Sequence, residues 1–168
     1  MTSLETSRLV LKPFTFSDTT ELHQLATNKE LSKWTRCFTH PYYLPQAQQW
    51  ITRTIKETEE GRNKTFSIHL KRGSLIGAVS FRLTENNEAE IGYWLGVEFQ
   101  GNGFATEAVK EVMSFAFKTC DIRRIIARCY ENNHRSVNVM LRCGMRQVRN
   151  YEIKSQSDKC LIIYEINA

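Results

Sequence analysis

Residues 89–107 constrain the fold of this chain more than any other stretch. Ala89, Ile91, Tyr93 and Leu95 alternate with Glu90, Gly92 and Trp94. That is the period of a strand, and both sets are largely apolar, as in a strand covered on both faces. Gln100-Gly101-Asn102-Gly103-Phe104-Ala105 follows as a turn. Behind it, Ala105, Ala108, Val109, Val112, Met113 and Ala116 recur at the spacing of one buried helix face. Residues 122–130 then read as a second strand. Strand, crossover helix and strand make a parallel pair, so the chain needs a sheet with a helix packed on it.

The glycine turn points to an anion. Two glycines let the backbone approach a ligand in conformations that a β-carbon resists, and the helix behind them offers free N–H groups and a positive dipole end. The turn lacks the Gly-Lys-Ser/Thr ending of a nucleotide-hydrolysing loop, because Phe104-Ala105 stands there. It also lacks a third Gly or Ala at the sixth position of a dinucleotide fingerprint, where Thr106 stands. From the glycines alone, a plain packing turn is the simpler reading.

The rest of the chain fits one mixed α and β domain. Pro13 bounds an alternating strand over residues 7–14, and Ser17 or Asp18 is placed to cap the next helix, with Glu21 completing a capping box. Pro45 opens a second helix that Gly61 ends. Residues 65–71 and 74–83 form a hairpin about Arg72-Gly73, with His69 on its polar face. Asn133 to Cys143 is a further helix, and residues 145–153 with 160–166 form a closing hairpin. Between the first two helices, Trp34, Phe38, His40, Tyr42 and Tyr43 crowd one irregular segment. Aromatic residues on such segments line binding sites or cover the core.

Charge and cysteine usage narrow the partners. The net charge is +5, and Lys118, Arg123, Arg124, Arg128, Arg135, Arg142, Arg146, Arg149 and Lys154 face only Asp121, Glu131 and Glu152 over the same stretch. A basic region of this kind suits an anionic partner, a phosphorylated cofactor or a nucleic acid, or else is a solvated face. The five cysteines show no C-x-x-C pair, which argues for reduced thiols and against a disulfide frame or metal site. The N-terminus carries no signal-peptide core and no stretch is apolar enough to span a bilayer, so a cytoplasmic protein is expected.

Gln100-x-x-Gly103-x-Ala105 after Glu90-Ile-Gly-Tyr-Trp-Leu95 resembles the acetyl-CoA signature of the GNAT N-acetyltransferases. The longer run from Ile91 to Ala108 is similar to the RimJ/RimL type, the branch with ribosomal-protein N-terminal acetyltransferases. Asn133-His-Arg-Ser136 with Gly144-Met145 resembles a second family motif. The resemblance covers nearly the whole chain and implies one domain over residues 1–168. It implies an α+β fold, with a mostly antiparallel sheet of about seven strands, a parallel pair at the cofactor cleft and about four flanking helices.

It also implies roles. Acetyl-CoA would be the cofactor and CoA the product. The backbone at Leu95 and Val97 would meet the pantetheine arm, and Gln100, Gly101, Asn102, Gly103, Phe104, Ala105 and Thr106 would cradle the diphosphate. Asn133 would hydrogen-bond the cofactor, Ser136 would lie beside it, and Arg142 would meet its 3′-phosphate. No metal is called for. The acceptor would be a primary amine, on a protein N-terminus or a small molecule, which must lose a proton before it attacks. Glu90 stands where histone-type members carry a base, and apolar neighbours would favour its protonated form. The Val97 N–H would polarise the thioester carbonyl. Many members place an acidic tyrosine where this chain has Met140, which leaves Ser136 as the candidate acid. Two rivals remain: an acyl-CoA-binding regulatory module without chemistry, and a basic nucleic-acid-binding domain, for which no recognition motif is present. The resemblance leaves monomer and homodimer open.

Overall fold

A computed structural model of the chain describes residues 2–84, 86–148, 153–154 and 160–168. In chain order the elements are β1 Leu4–Glu5, β2 Leu9–Pro13, α1 Thr19–Ala26, α2 Lys29–Ser32, α3 Leu44–Glu59, β3 Asn63–Leu70, β4 Leu75–Leu83, β5 Glu88–Leu95, α4 Phe104–Thr119, β6 Arg124–Tyr130, α5 His134–Arg142, β7 Arg146–Gln147, β8 Ile153–Lys154 and β9 Cys160–Asn167. Nine strand segments among the described residues form one sheet, β1-β2-β3-β4-β5-β6-β9-β7, with β8 also on β9. The expected count of about seven strands is exceeded because β1, β7 and β8 are two-residue segments. Every pairing is antiparallel except β5 with β6. That parallel pair is joined by α4, as the crossover pattern implies.

Each face of the sheet carries its own core. Leu9, Leu11, Phe66, Ile68, Val79 and Phe81 pack with Ile91, Leu95 and the Ala108–Val109–Val112–Ala116 stripe of α4. On the other face Leu22, Leu25, Ala47, Trp50 and Ile51 of α1 and α3 cover Ala78 and Trp94. The two apolar faces of β5 are both used, so β5 is an interior strand.

Several local expectations are corrected. Asp18 is the N-cap residue of α1, one of the two expected, but its carboxylate serves the preceding turn, accepting from the Thr15 N–H at 2.7 Å and hydroxyl at 3.0 Å. This frees Glu21 to accept from the Leu75 N–H at 2.7 Å, tying α1 to β4. His69 is buried at 5% exposure, not on a polar face. Its imidazole sits between the Gly73 carbonyl and the Ser67 hydroxyl, each 3.2 Å away, with Asp18 at 3.7 Å. Both β7 and β8 pair antiparallel with β9, as the closing hairpin anticipated, though residues 149–152 and 155–159 lie outside the described residues.

The turn before α4 is anchored from the segment between β1 and β2. Glu107 accepts from the Thr6 hydroxyl at 2.5 Å, the Ser7 hydroxyl at 3.0 Å, and the Arg8 N–H and Nε at 3.0 and 2.7 Å. Arg8 also donates to the Asn102 carbonyl at 3.0 Å and lies over the Phe104 ring. Burial alone would raise the Glu107 carboxyl, but the bonds from Thr6, Arg8 and Ser7 outweigh it and hold it at about 2, against an ordinary 4.5. Its folded value lies below its unfolded one. The stability it contributes is therefore complete above the unfolded value and is lost as pH falls toward 2. Glu107→Gln should cost about 2 kcal/mol at pH 7, after allowing for the half-exposed Arg8. Urea denaturation of both forms should show the gap closing below pH 4.5; a gap of equal size at low pH would refute this account.

Candidate active site

β5 and β6 pair only from Glu88↔Arg124 to Ile91↔Ala127. Beyond that register no pairing joins them, although β5 runs on to Leu95 and β6 to Tyr130. A cavity of about 910 Å³ opens there. It is lined by the ends of both strands, the start of α4, one side of α5 and, on the α3 side of the sheet, residues of β3, β4 and the segment after α2.

One end is the glycine turn. Gly101 and Gly103 sit at φ +81° and +79°, the left-handed region that other residues resist. Gly103 is the N-cap of α4, and no side chain caps that helix. The first N–H groups of a helix have no partner within it, so here they face the cavity beside Gly103, Phe104, Ala105 and Thr106. This fits a phosphorylated ligand. Gln100 braces the turn: its amide donates to the Leu95 carbonyl at 3.0 Å and its oxygen accepts from Arg135 at 2.7 Å. Asn102 does not line the cavity; its amide folds back to the Phe99 and Gln100 carbonyls.

Across from the turn, Asn133 caps α5 by accepting from the Ser136 N–H at 3.2 Å. No hydrogen bond is made by its amide nitrogen among the described residues. Arg142 lines the cavity from the last turn of α5. The basic run of the C-terminal half does not form one free surface. Arg124 pairs with Glu88 and Glu165, Arg146 with Glu165, and Arg128 with Glu90. Glu165 lies outside the run in sequence, so its pairing was not visible there.

Glu90 lines the cavity on the face shared with Gly92 and Trp94. The apolar neighbourhood expected for it is not what the structure places there: Arg128 lies 3.7 Å from its carboxylate and Arg82 is its register partner on β4. Val97 is in a single 3-10 turn, Val97–Phe99, two residues beyond β5. It packs toward the α1–α3 core and is not among the lining residues. The lining residue at the strand end is Leu95. Met140 is fully buried.

The sequence pattern shows Tyr93 only as part of a buried strand face. Its hydroxyl lies 2.9 Å from the Ser136 hydroxyl and 3.1 Å from the Ser136 carbonyl. Burial pushes the Tyr93 phenol up, against the Ser136 hydrogen bond, so it stays neutral and remains a donor. Burial also pushes the Cys129 thiol to about 11, again opposed by Ser136, and the Cys143 thiol to about 11, opposed by Lys110. Neither thiol is a nucleophile near neutral pH. Among the described residues no group of acidic, His and Cys side chains could hold a metal, and no helix is long and apolar enough to cross a membrane.

Comparison with known proteins now decides the family. Residues 8–146 match the acetyltransferase (GNAT) domain. The chain belongs to the GNAT acetyltransferases. This acetyltransferase is 31% identical over 160 residues to p20 of Bacillus licheniformis, an uncharacterized N-acetyltransferase, covering 90% of the chain and 88% of p20. It is 29% identical over 143 residues to the ribosomal-protein-serine acetyltransferase of Escherichia coli, covering 76% and 79%. RimL, a ribosomal L7/L12 α-N-protein acetyltransferase solved with coenzyme A, superimposes with a TM-score of 0.88 at 22% identity, covering 99% and 98%. At that identity the superposition speaks for the fold. The resemblance to the RimJ/RimL type has its counterpart in the Escherichia coli relative.

Proposed function

We propose that this protein transfers an acetyl group from acetyl-CoA directly to a primary amine, with a protein α-amine as the acceptor class. The observation that carries this reading is that the uncapped α4 turn, Glu90 and Ser136 all open into one cavity. Relatives named as ribosomal-protein acetyltransferases support the acceptor class.

The turn residues Gly101 and Gly103 to Thr106 would hold the diphosphate through backbone N–H groups. Leu95 would pair with the pantetheine arm, the free amide of Asn133 would donate to the cofactor, and Arg142 would meet the 3′-phosphate. Acetyl-CoA supplies the acetyl group as a thioester; the amine proton is taken up by the chain. Glu90 takes the proton of the attacking amine. Ser136, the candidate acid, donates a hydrogen bond to the departing thiolate, which takes its proton from solvent. For that, its hydroxyl hydrogen must be free of Tyr93, which holds when the single phenolic hydrogen of Tyr93 goes to the Ser136 hydroxyl and not to its carbonyl. Tyr93 is then a positioning residue. Its raised phenol makes it a poor acid and a dependable donor.

Two measurements test the reading together. Isothermal titration should show saturable acetyl-CoA binding, with no binding of ATP or NAD, and thiol release should depend on an added amine. Absence of acetyl-CoA binding would defeat the proposal. Binding without thiol release from any amine would favour the regulatory-module alternative.

A further inference from the structure

The part of the cavity that lies away from the glycine turn has its own chemistry. Its floor is a set of cross-strand rows on the α3 face of the sheet: Asn63, Arg82 and Glu90 in one row, then Thr65, Ser80 and Gly92 in the next. Gly92 has no β-carbon, and one built there would meet only the Ser80 hydroxyl at 3.8 Å. The backbone is therefore open to a ligand at this point. α3 and the segment after α2 form the wall, bringing Arg36, Arg53 and Glu57.

The formal charge of this lobe is positive. Arg36, Arg53, Arg82 and Arg128 face Glu57 and Glu90, four cations against two anions. The excess of two cations is unchanged by internal contacts, which leave three arginines facing one glutamate. Glu90 is beside Arg128, and Glu57 accepts from the Asn63 amide at 3.5 Å. Arg36, Arg53 and Arg82 have no carboxylate within ion-pair distance among the described residues. A lobe that received polycationic amines would need the opposite sign.

Resting on the acetyltransferase reading above, we propose that the lobe selects acidic protein N-termini, whose carboxylates shortly after the α-amine are met by Arg53 and Arg82. The charge arrangement serves the chemistry as well as recognition. Nearby guanidinium groups disfavour the ammonium form of the bound amine, which leaves the free base that attacks. The acidic side chains supply the attraction that an ammonium would otherwise lose to the arginines. Arg82 is directly opposite Glu90 across the β4–β5 pair, so a carboxylate at Arg82 keeps the amine near the base.

The test compares Ala-Asp-Glu-Asp-Gly-Gly, Ala-Lys-Lys-Lys-Gly-Gly, spermidine and free glutamate as acceptors. The acidic peptide should be favoured by about ten-fold or more in kcat/KM at low salt, and the preference should shrink at high salt. Arg53→Glu with Arg82→Glu should abolish or reverse it. Arg53 and Arg82 are exposed, so melting temperatures should stay close to wild type; Arg53→Gln with Arg82→Gln repeats the test without placing a new anion near Glu90. Equal use of the basic peptide, better use of spermidine or glutamate, or a preference unchanged in both double variants would overturn the proposal. Should no acceptor turn over, binding of the two peptides to the CoA-loaded protein decides, and equal affinities overturn it. Intact acetyl-CoA binding with no charge preference defeats this inference alone, whereas loss of acetyl-CoA binding by the wild type defeats the acetyltransferase reading.

Discussion

Glu90→Gln is expected to lower kcat by about a hundred- to ten-thousand-fold while acetyl-CoA affinity stays unchanged. The substitution keeps shape and removes only the ability to take a proton. Glu90 is set on the interior strand β5, whose neighbours β4 and β6 pair with it at that very register, so backbone rearrangement should be small. Arg128 at 3.7 Å loses an ionic partner in the variant, but this contact is partly exposed and its loss should cost less than about 1 kcal/mol. The effect should therefore fall on turnover and spare the melting temperature. A variant with wild-type kcat would remove Glu90 as the base. Ser136→Ala and Tyr93→Phe belong beside it: if Tyr93 acts by orienting Ser136, the double variant should be no slower than Ser136→Ala alone.

Gly103→Val should abolish measurable acetyl-CoA binding, weakening it by about a hundred-fold or more. At φ +79° a β-branched residue is strained by about 1–2 kcal/mol, and the new side chain would meet the Arg8 guanidinium at 3.4 Å from its β-carbon. Relief of that strain rotates the first N–H groups of α4 away from the cavity. The stability cost alone does not explain the binding loss, and Gly73 provides the control. Gly73 has φ +110° in the β3–β4 turn with open space around it, so Gly73→Val should carry at least as much backbone strain and still bind acetyl-CoA normally. If both variants bind alike, the N-terminus of α4 is not the diphosphate site.

Local patterns carried much of this far in the sequence. The alternation of residues 89–95 and the apolar stripe behind the turn place β5, α4 and the parallel neighbour β6, because each is written within one element's own period. Gly101 and Gly103 announce the left-handed turn for the same reason. What stayed hidden depends on residues distant in sequence. His69 alternates like a surface residue but is buried by Asp18 and the loop at Gly73. Glu90 looks flanked by alanine and isoleucine along the chain, while its real neighbours Arg82 and Arg128 come from the strands on either side. The Tyr93–Ser136 pair joins residues 43 apart, and no periodicity connects them. The acceptor lobe is written in no single segment, since its arginines come from four separate places.

The clamp on Glu107 has a consequence for how the molecule is made. Its bonds to Thr6, Ser7 and Arg8 join residues about a hundred positions apart, so the loop they close is among the longest in the chain and is costly in entropy before it is repaid. As the chain emerges from a ribosome, the segment between β1 and β2 must wait for all of α3, β3, β4, β5 and the first turn of α4 before Glu107 exists. The turn that would receive the diphosphate thus takes its final shape only after the two ends of this long segment have met. Competence to bind is then acquired late in synthesis, once both ends of the clamp are present.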